Sequence, residues 1–160
     1  MKMGNSYALA LSSSMKHLSN TQVIELPGNR LGKKGGEFIL ANMADRVRNI
    51  NLDNNRIGPE GLSHLVRWVD NLNVRCQLEE LSLENNNIGD QLCVDLIASL
   101  LTALPPLREL NLSRNSIGDR GALAVAEFIQ THYHMKTCKL SWNKIMSRGG
   151  IAIAEALKDN

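Results

Sequence analysis

Carboxylates placed in pairs are the usual material of general acid and base catalysis, and this chain of 160 residues carries Glu25, Asp53, Glu80, Glu84 and Glu109 within short apolar and polar alternations. Such catalysis needs a pocket that holds two of them at a set separation and shifts one. Alternation spreads them over an open surface instead. His132 and His134 have a spacing that suits two metal ligands, but the polar loop around them supplies no further ligand, so they read as solvated histidines. Cys76, Cys93 and Cys138 lie 17 and 45 residues apart. That odd count matches neither a disulfide framework nor a zinc spacing, and it points to a reduced, cytoplasmic compartment. Gly32-Lys33-Lys34-Gly35-Gly36 has the composition of a phosphate loop without its G-x-x-x-x-G-K-S/T spacing, so it reads as a turn. No catalytic set, cofactor site or metal site is expected, and the chain is not expected to be an enzyme.

The elements that position these side chains show themselves by repetition. Asparagine recurs at Asn29, Asn55, Asn86, Asn115 and Asn143, with spacings of 26, 31, 29 and 28 residues. Each follows a strand-like alternation, in stretches 23–32, 49–58, 80–89, 109–118 and 137–146. Each strand precedes a segment with apolar residues at helical spacing: Ile39, Leu40 and Met43; Leu65, Val66 and Val69; Leu96, Ile97 and Leu100; Val125, Ala126 and Ile129; Ile153, Ala154 and Leu157. Asp90, Asp119 and Ser147 stand at expected N-caps, Pro59 at an early-turn position, and Pro105-Pro106 closes a helix. Trp68 and Phe128 share one place beside the stripe and read as packing between neighbouring helices.

The same alignment carried upstream places Met3-Gly4 at a strand end, Asn5 at a cap, and Leu11, Ser12 and Met15 on a helix stripe. Met1 then falls where a repeat asparagine belongs. We expect a single domain: a helix of an incomplete repeat at 3–18, then repeats at about 21–45, 46–77, 78–106, 107–134 and 135–160. The missing strand and the lack of terminal caps suggest a fragment of a longer protein.

Repeats of about 28 residues with LxLxxNxIG and a full helix resemble the ribonuclease inhibitor-like class of leucine-rich repeats. The resemblance implies an α/β solenoid, a right-handed horseshoe arc with a parallel sheet on the concave side and helices on the convex side. Proteins of this class mostly bind other proteins. The Ran GTPase-activating proteins also belong to it, which gives regulation of a small GTPase as an alternative, and the sensing region of a larger signalling protein as another. Pro27-Gly28, Cys138 and Met146 depart from the pattern and make the first and fifth copies less regular.

Alternation turns the leucine pairs inward and Val23, Glu25 and Pro27; Asn49, Asn51 and Asp53; Glu80, Ser82 and Glu84; Glu109, Asn111 and Ser113; Thr137, Lys139 and Ser141 outward. Five carboxylates face the single Lys139, although the formal net charge is +2. The surplus basic residues, among them Arg30, Lys33, Lys34, Arg46, Arg48, Arg56 and Arg75, belong to loops and helices. The expected partner is therefore a protein with a basic surface, met by Glu25, Asn51, Asp53, Glu80, Glu84, Glu109, Asn111, Lys139 and Trp142. Trp142 stands where other copies carry Gly28, Asn54, Asn85 and Arg114; it is either an interface anchor or a cover for the end of the array. The asparagines are scaffold, their amides satisfying backbone groups as the chain leaves the sheet. Near-balanced charge gives no electrostatic case for nucleic acid. No apolar run approaches the roughly 20 residues that span a bilayer, and the apolar stretch at Tyr7–Leu11 is too short for a signal peptide. Uncapped edge strands suggest self-association.

Overall fold

A computed structural model describes residues 5–15 and 17–159. Met1, Met3 and Gly4, on which the incomplete-repeat alignment draws, lie outside the described residues, and so does the side chain of Asn5. Helix α1 (Asn5–Met15) leads into five strand and helix pairs: β1 (Val23–Glu25), α2 (Gly32–Leu40), β2 (Asn49–Asn51), α3 (Gly58–Leu72), β3 (Glu80–Ser82), α4 (Asp90–Ala103), β4 (Glu109–Asn111), α5 (Asp119–Thr131), β5 (Thr137–Lys139) and α6 (Ser147–Asp159). The strands form one parallel sheet in chain order. Its register puts Ile24, Ile50, Leu81, Leu110 and Cys138 in one inward row.

Each strand is three residues long, yet the ladder continues past it. Leu26, Leu52, Leu83 and Leu112 donate their N–H groups to the carbonyls of Asn51, Ser82, Asn111 and Lys139 in the next repeat. Backbones run close only between neighbouring helices and between neighbouring strands, apart from a single 3-10 turn at Asn73–Arg75 beside α3 and α4, while helix and sheet meet through their side chains. This is the one-dimensional stacking that a strand and helix unable to bury its apolar face alone requires. The core is the slab between sheet and helices. It takes in Ile50, Leu52, Leu65, Leu81, Leu83, Ile97, Leu110, Leu112 and Val125, and it includes Trp68 and Phe128.

The apolar stripes are buried from α2 to α5, with Val66 half-buried. Two places differ from the sequence expectation. Helix α2 ends at Leu40, so Met43 is buried from the loop beyond it; three glycines within α2 and an Asn42 amide bonded to the Phe38 carbonyl favour that early stop. On α6, Ala154 is exposed and Leu157 is 62% exposed, because no further helix among the described residues packs on that face.

The capping expectation needs a larger correction. Asp90 and Asp119 are the first residues of α4 and α5, and their own helices gain no side-chain cap from the preceding residue. Asp90 Oδ1 instead accepts from the N–H groups of Gly118 and Gly121, at 2.7 and 2.9 Å. Asp119 Oδ1 does the same for Met146 and Gly149, at 2.7 and 3.0 Å. Each carboxylate thus caps the next helix in the stack. The glycines make this possible: a Cβ on Gly149 would stand 2.8 Å from Asp119 Oδ1, and one on Gly121 2.9 Å from Asp90 Oδ1. Ser147 takes no part in such a bond. Pro59 does occupy the first turn of α3, and Leu104 ends α4 in the left-handed region just before Pro105.

Candidate functional site

The open face of the sheet carries a depression of about 220 Å³ lined by residues of all five strands. Glu25, Asp53, Glu80 and Glu109 border it, Lys139 is the one cation among its lining residues, and Asn51, Ser82 and Asn111 lie between them. Glu84 stands just beyond, further along β3. The strand alternation therefore places the expected polar residues on one face, but it leaves them in unequal states.

Lys139 Nζ is bonded to Glu109 Oε1 at 2.5 Å. That bond, with the added fields of Glu109, Asp53 and Glu84, raises the lysine pKa. Glu84 is paired with Arg114, whose Nε lies 3.0 Å from its Oε1. Asp53 Oδ1 accepts from the Ser82 hydroxyl and the Glu84 N–H, each at 2.7 Å. The carboxylates of Glu25 and Glu80, unlike their backbones, have no hydrogen bond or ion pair with another described residue. Asn111 and Ser113 were expected to point into solvent, and the structure corrects this: they are only 6% and 7% exposed. The Asn111 amide donates to Ser82 Oγ and Glu84 Oε2 while its Oδ1 accepts from Ser113 N–H, so the side chain is spent within the face. Asn51 likewise turns its Oδ1 to the Asp53 N–H.

Above the face runs a row of exposed residues where the chain turns away from each strand. Gly28, Asn54, Asn85, Arg114 and Trp142 all have positive φ, between 54° and 69°. Glycine and asparagine suit that region. A tryptophan there costs about 1 kcal/mol and is unusual. Trp142 is nevertheless 77% exposed, with the Arg114 guanidinium carbon 5.4 Å from its ring centroid.

The asparagine column lies beneath this row. Asn55 Oδ1 accepts from the N–H groups of Asn29 and Leu31, and its amide donates to the carbonyls of Leu26, Leu52 and Asp53. Asn115 repeats the arrangement in full two layers on, and Asn86 and Asn143 do so with fewer bonds. Every amide in this set bonds backward to the preceding repeat, so the column stitches layers together.

The other polar candidates are dispersed. His132 is not solvated as its sequence context implied: it is 4% exposed and stacks on Phe128, with ring centroids 4.5 Å apart and planes at 18°. Burial lowers its pKa, opposed by a hydrogen bond with the Pro105 carbonyl and reinforced by His134 nearby. The loop reads as polar in sequence because the burying surface, Phe128, lies one helical turn back. Burial pushes the thiols of Cys93 and Cys138 up to about 12 and about 11, and also raises that of Cys76. They are therefore thiols rather than nucleophilic thiolates at neutral pH. Among the described residues no three His, Cys, Asp or Glu side chains converge in a way that would hold a metal ion. No described helix is long and apolar enough to cross a membrane.

The stack has recognisable relatives. The family described as Leucine Rich repeat matches residues 47–66 and 103–126, and a second family of the same description matches residues 77–100. The ribonuclease inhibitor of Sus scrofa is 36% identical over 81 residues, which is 51% of this chain and 17% of that protein. This chain is a leucine-rich repeat protein of the ribonuclease inhibitor-like class. Other relatives include the Tonsoku-like protein of Mus musculus, 33% identical over 83% of this chain, and the NACHT, LRR and PYD domains-containing protein 3 of Homo sapiens, 33% identical over 76% of it. These matches span 10% and 9% of the respective proteins, so the chain corresponds to about a tenth of their length. The tropomodulin C-terminal domain of Caenorhabditis elegans superposes with a TM-score of 0.68 over 92% of each chain at 13% identity, which is a likeness of fold.

Proposed function

We propose that this leucine-rich repeat chain is a non-enzymatic protein-interaction module whose concave sheet face takes a partner through a basic surface. The observation that carries the reading is charge segregation. Five carboxylates on or beside one face meet two cations, Lys139 and Arg114, while exposed Arg30, Lys33, Lys34, Arg46, Arg56 and Arg75 sit in loops and on helices. The face is rigid, since its side chains are cross-linked by hydrogen bonds and its backbone by the ladder, so little ordering entropy is lost on binding. A single-signed concave surface also speeds encounter with an oppositely charged partner.

Glu25 and Glu80 are the carboxylates to reverse, because neither has an internal cation to lose. An immobilised lysine-rich peptide and a glutamate-rich peptide serve as probes. The parent should retain the basic peptide alone, with affinity falling as salt rises, and Glu25→Lys with Glu80→Lys should weaken retention by about tenfold or more while leaving the thermal melt in place. Equal retention of both peptides by the parent, or unchanged retention by the reversed variant, refutes the assignment of this face.

A further inference from the structure

Resting on that reading, we infer that the partner segment has two unlike ends, basic residues over β1 to β3 and an apolar or aromatic residue against Trp142. The concave face is not uniform. Glu109 on β4 is already neutralised by Lys139 on β5, and Glu84, past the end of β3, by Arg114, past the end of β4. Over β1 to β3 Glu25 and Glu80 have no cation, and Asp53 has hydrogen bonds but no ion pair. Negative charge therefore gathers on one half of the face. The other half is close to neutral and ends in an indole.

Trp142 is an independent feature, separate from those carboxylates. Its φ of 59° is one that asparagine holds at the same place in two other copies, so the backbone does not call for tryptophan there. The ring is exposed and has one restraint, the Arg114 guanidinium over its face, which is itself tied to Glu84. An aromatic side chain restrained before contact loses less freedom when a partner covers it, which is the character of an interface anchor. With strands about 4.8 Å apart and residues about 3.3 Å apart along them, Trp142 lies roughly 20 Å from both Glu25 and Glu80. An extended segment of about six residues bridges that distance. One short stretch of a partner thus reaches both ends, and charge complementarity sets its polarity.

Intrinsic fluorescence tests this directly, since Trp68 is buried and constant while Trp142 is exposed. The probes are a tryptophan-free peptide with Lys-Arg-Lys at one end and Phe-Leu at the other, joined by about five Gly and Ser residues, its order-reversed twin, and a basic-only peptide. One bipolar order should bind at least about tenfold tighter than the basic-only peptide and shift the emission to the blue. Trp142→Asn, which the backbone accepts, should abolish the shift and reduce bipolar binding to the basic-only level. If the basic-only peptide binds in a salt-sensitive way and neither bipolar order binds tighter, the two-ended segment is refuted and the acidic face stands. If no basic peptide binds, both fall.

Discussion

Asn115→Ala removes an amide that, like that of Asn55, is used on both its oxygen and its nitrogen. Its Oδ1 accepts from the Asn86 and Ile88 N–H groups, both at 3.0 Å, and its Nδ2 donates to the carbonyls of Leu83, Leu112 and Ser113 at 3.0, 3.0 and 3.1 Å. The methyl of alanine serves none of them. Carbonyls tolerate the loss better than donors, so the cost is set by two buried N–H groups left without acceptors, each worth about 1–3 kcal/mol, or about 2–4 kcal/mol together once the loop relaxes. For a domain of this size about 2–4 °C follows each kcal/mol, so the thermal midpoint should fall by roughly 5–15 °C in calorimetry. Asn143→Ala is the internal control. Its Oδ1 accepts from Ile117 alone, at 3.1 Å, and its side chain is half-buried, so the fall should be about half as large. Asn115→Asp should not rescue, because it keeps the acceptors but turns an ionised oxygen toward three carbonyls. An Asn115→Ala midpoint within about 1 °C of the parent, or an equal fall for Asn143→Ala, would show that the layers are held by packing and that the amide column adds nothing.

Two further perturbations follow from the same geometry. Asp119→Ala should cost about 1 kcal/mol and speed amide exchange at Met146 and Gly149 by roughly fivefold, with β1 and α2 unaffected; exchange that speeds instead at the start of α5 would return the aspartate to its own helix. His132 is held neutral by burial, with its folded pKa below the usual 6.5. As pH falls below about 6.5 the unfolded chain takes up a proton that the folded chain resists, so stability is full above that value and is lost down through the folded pKa. The drop in thermal midpoint between pH 7.5 and pH 5 should shrink in His132→Phe, and an equal drop in both proteins would show that His132 is not the group responsible.

How far the sequence reveals this structure depends on whether a feature repeats. Strand alternation, the asparagine column and the helix stripes recur at about 28 residues, and each copy strengthens the reading of the others. Relations between unlike positions of neighbouring copies do not recur in that way. Asp90 occupies an N-cap place in its own helix, and only the closeness of Gly118 and Gly121 in the next layer shows which N–H groups it serves. His132 reads as a loop residue because Phe128, which covers it, belongs to the preceding helix turn.

The concave face follows the same rule. Aligned copies put Glu109 beside Thr137 and Asn111 beside Lys139, yet Lys139 reaches diagonally to Glu109, and Arg114 reaches diagonally to Glu84. Long side chains can choose among directly opposite and diagonal neighbours, which an alignment does not rank. Counting carboxylates along the chain therefore finds an acidic face and misses its division. The charge left for a partner sits with Glu25, Asp53 and Glu80, while the β4 and β5 side offers a neutralised surface ending at Trp142. On the proposed function, a basic segment on this face would meet a gradient of charge across the strands, and the direction of that gradient would give an otherwise repetitive surface a single preferred orientation for its partner.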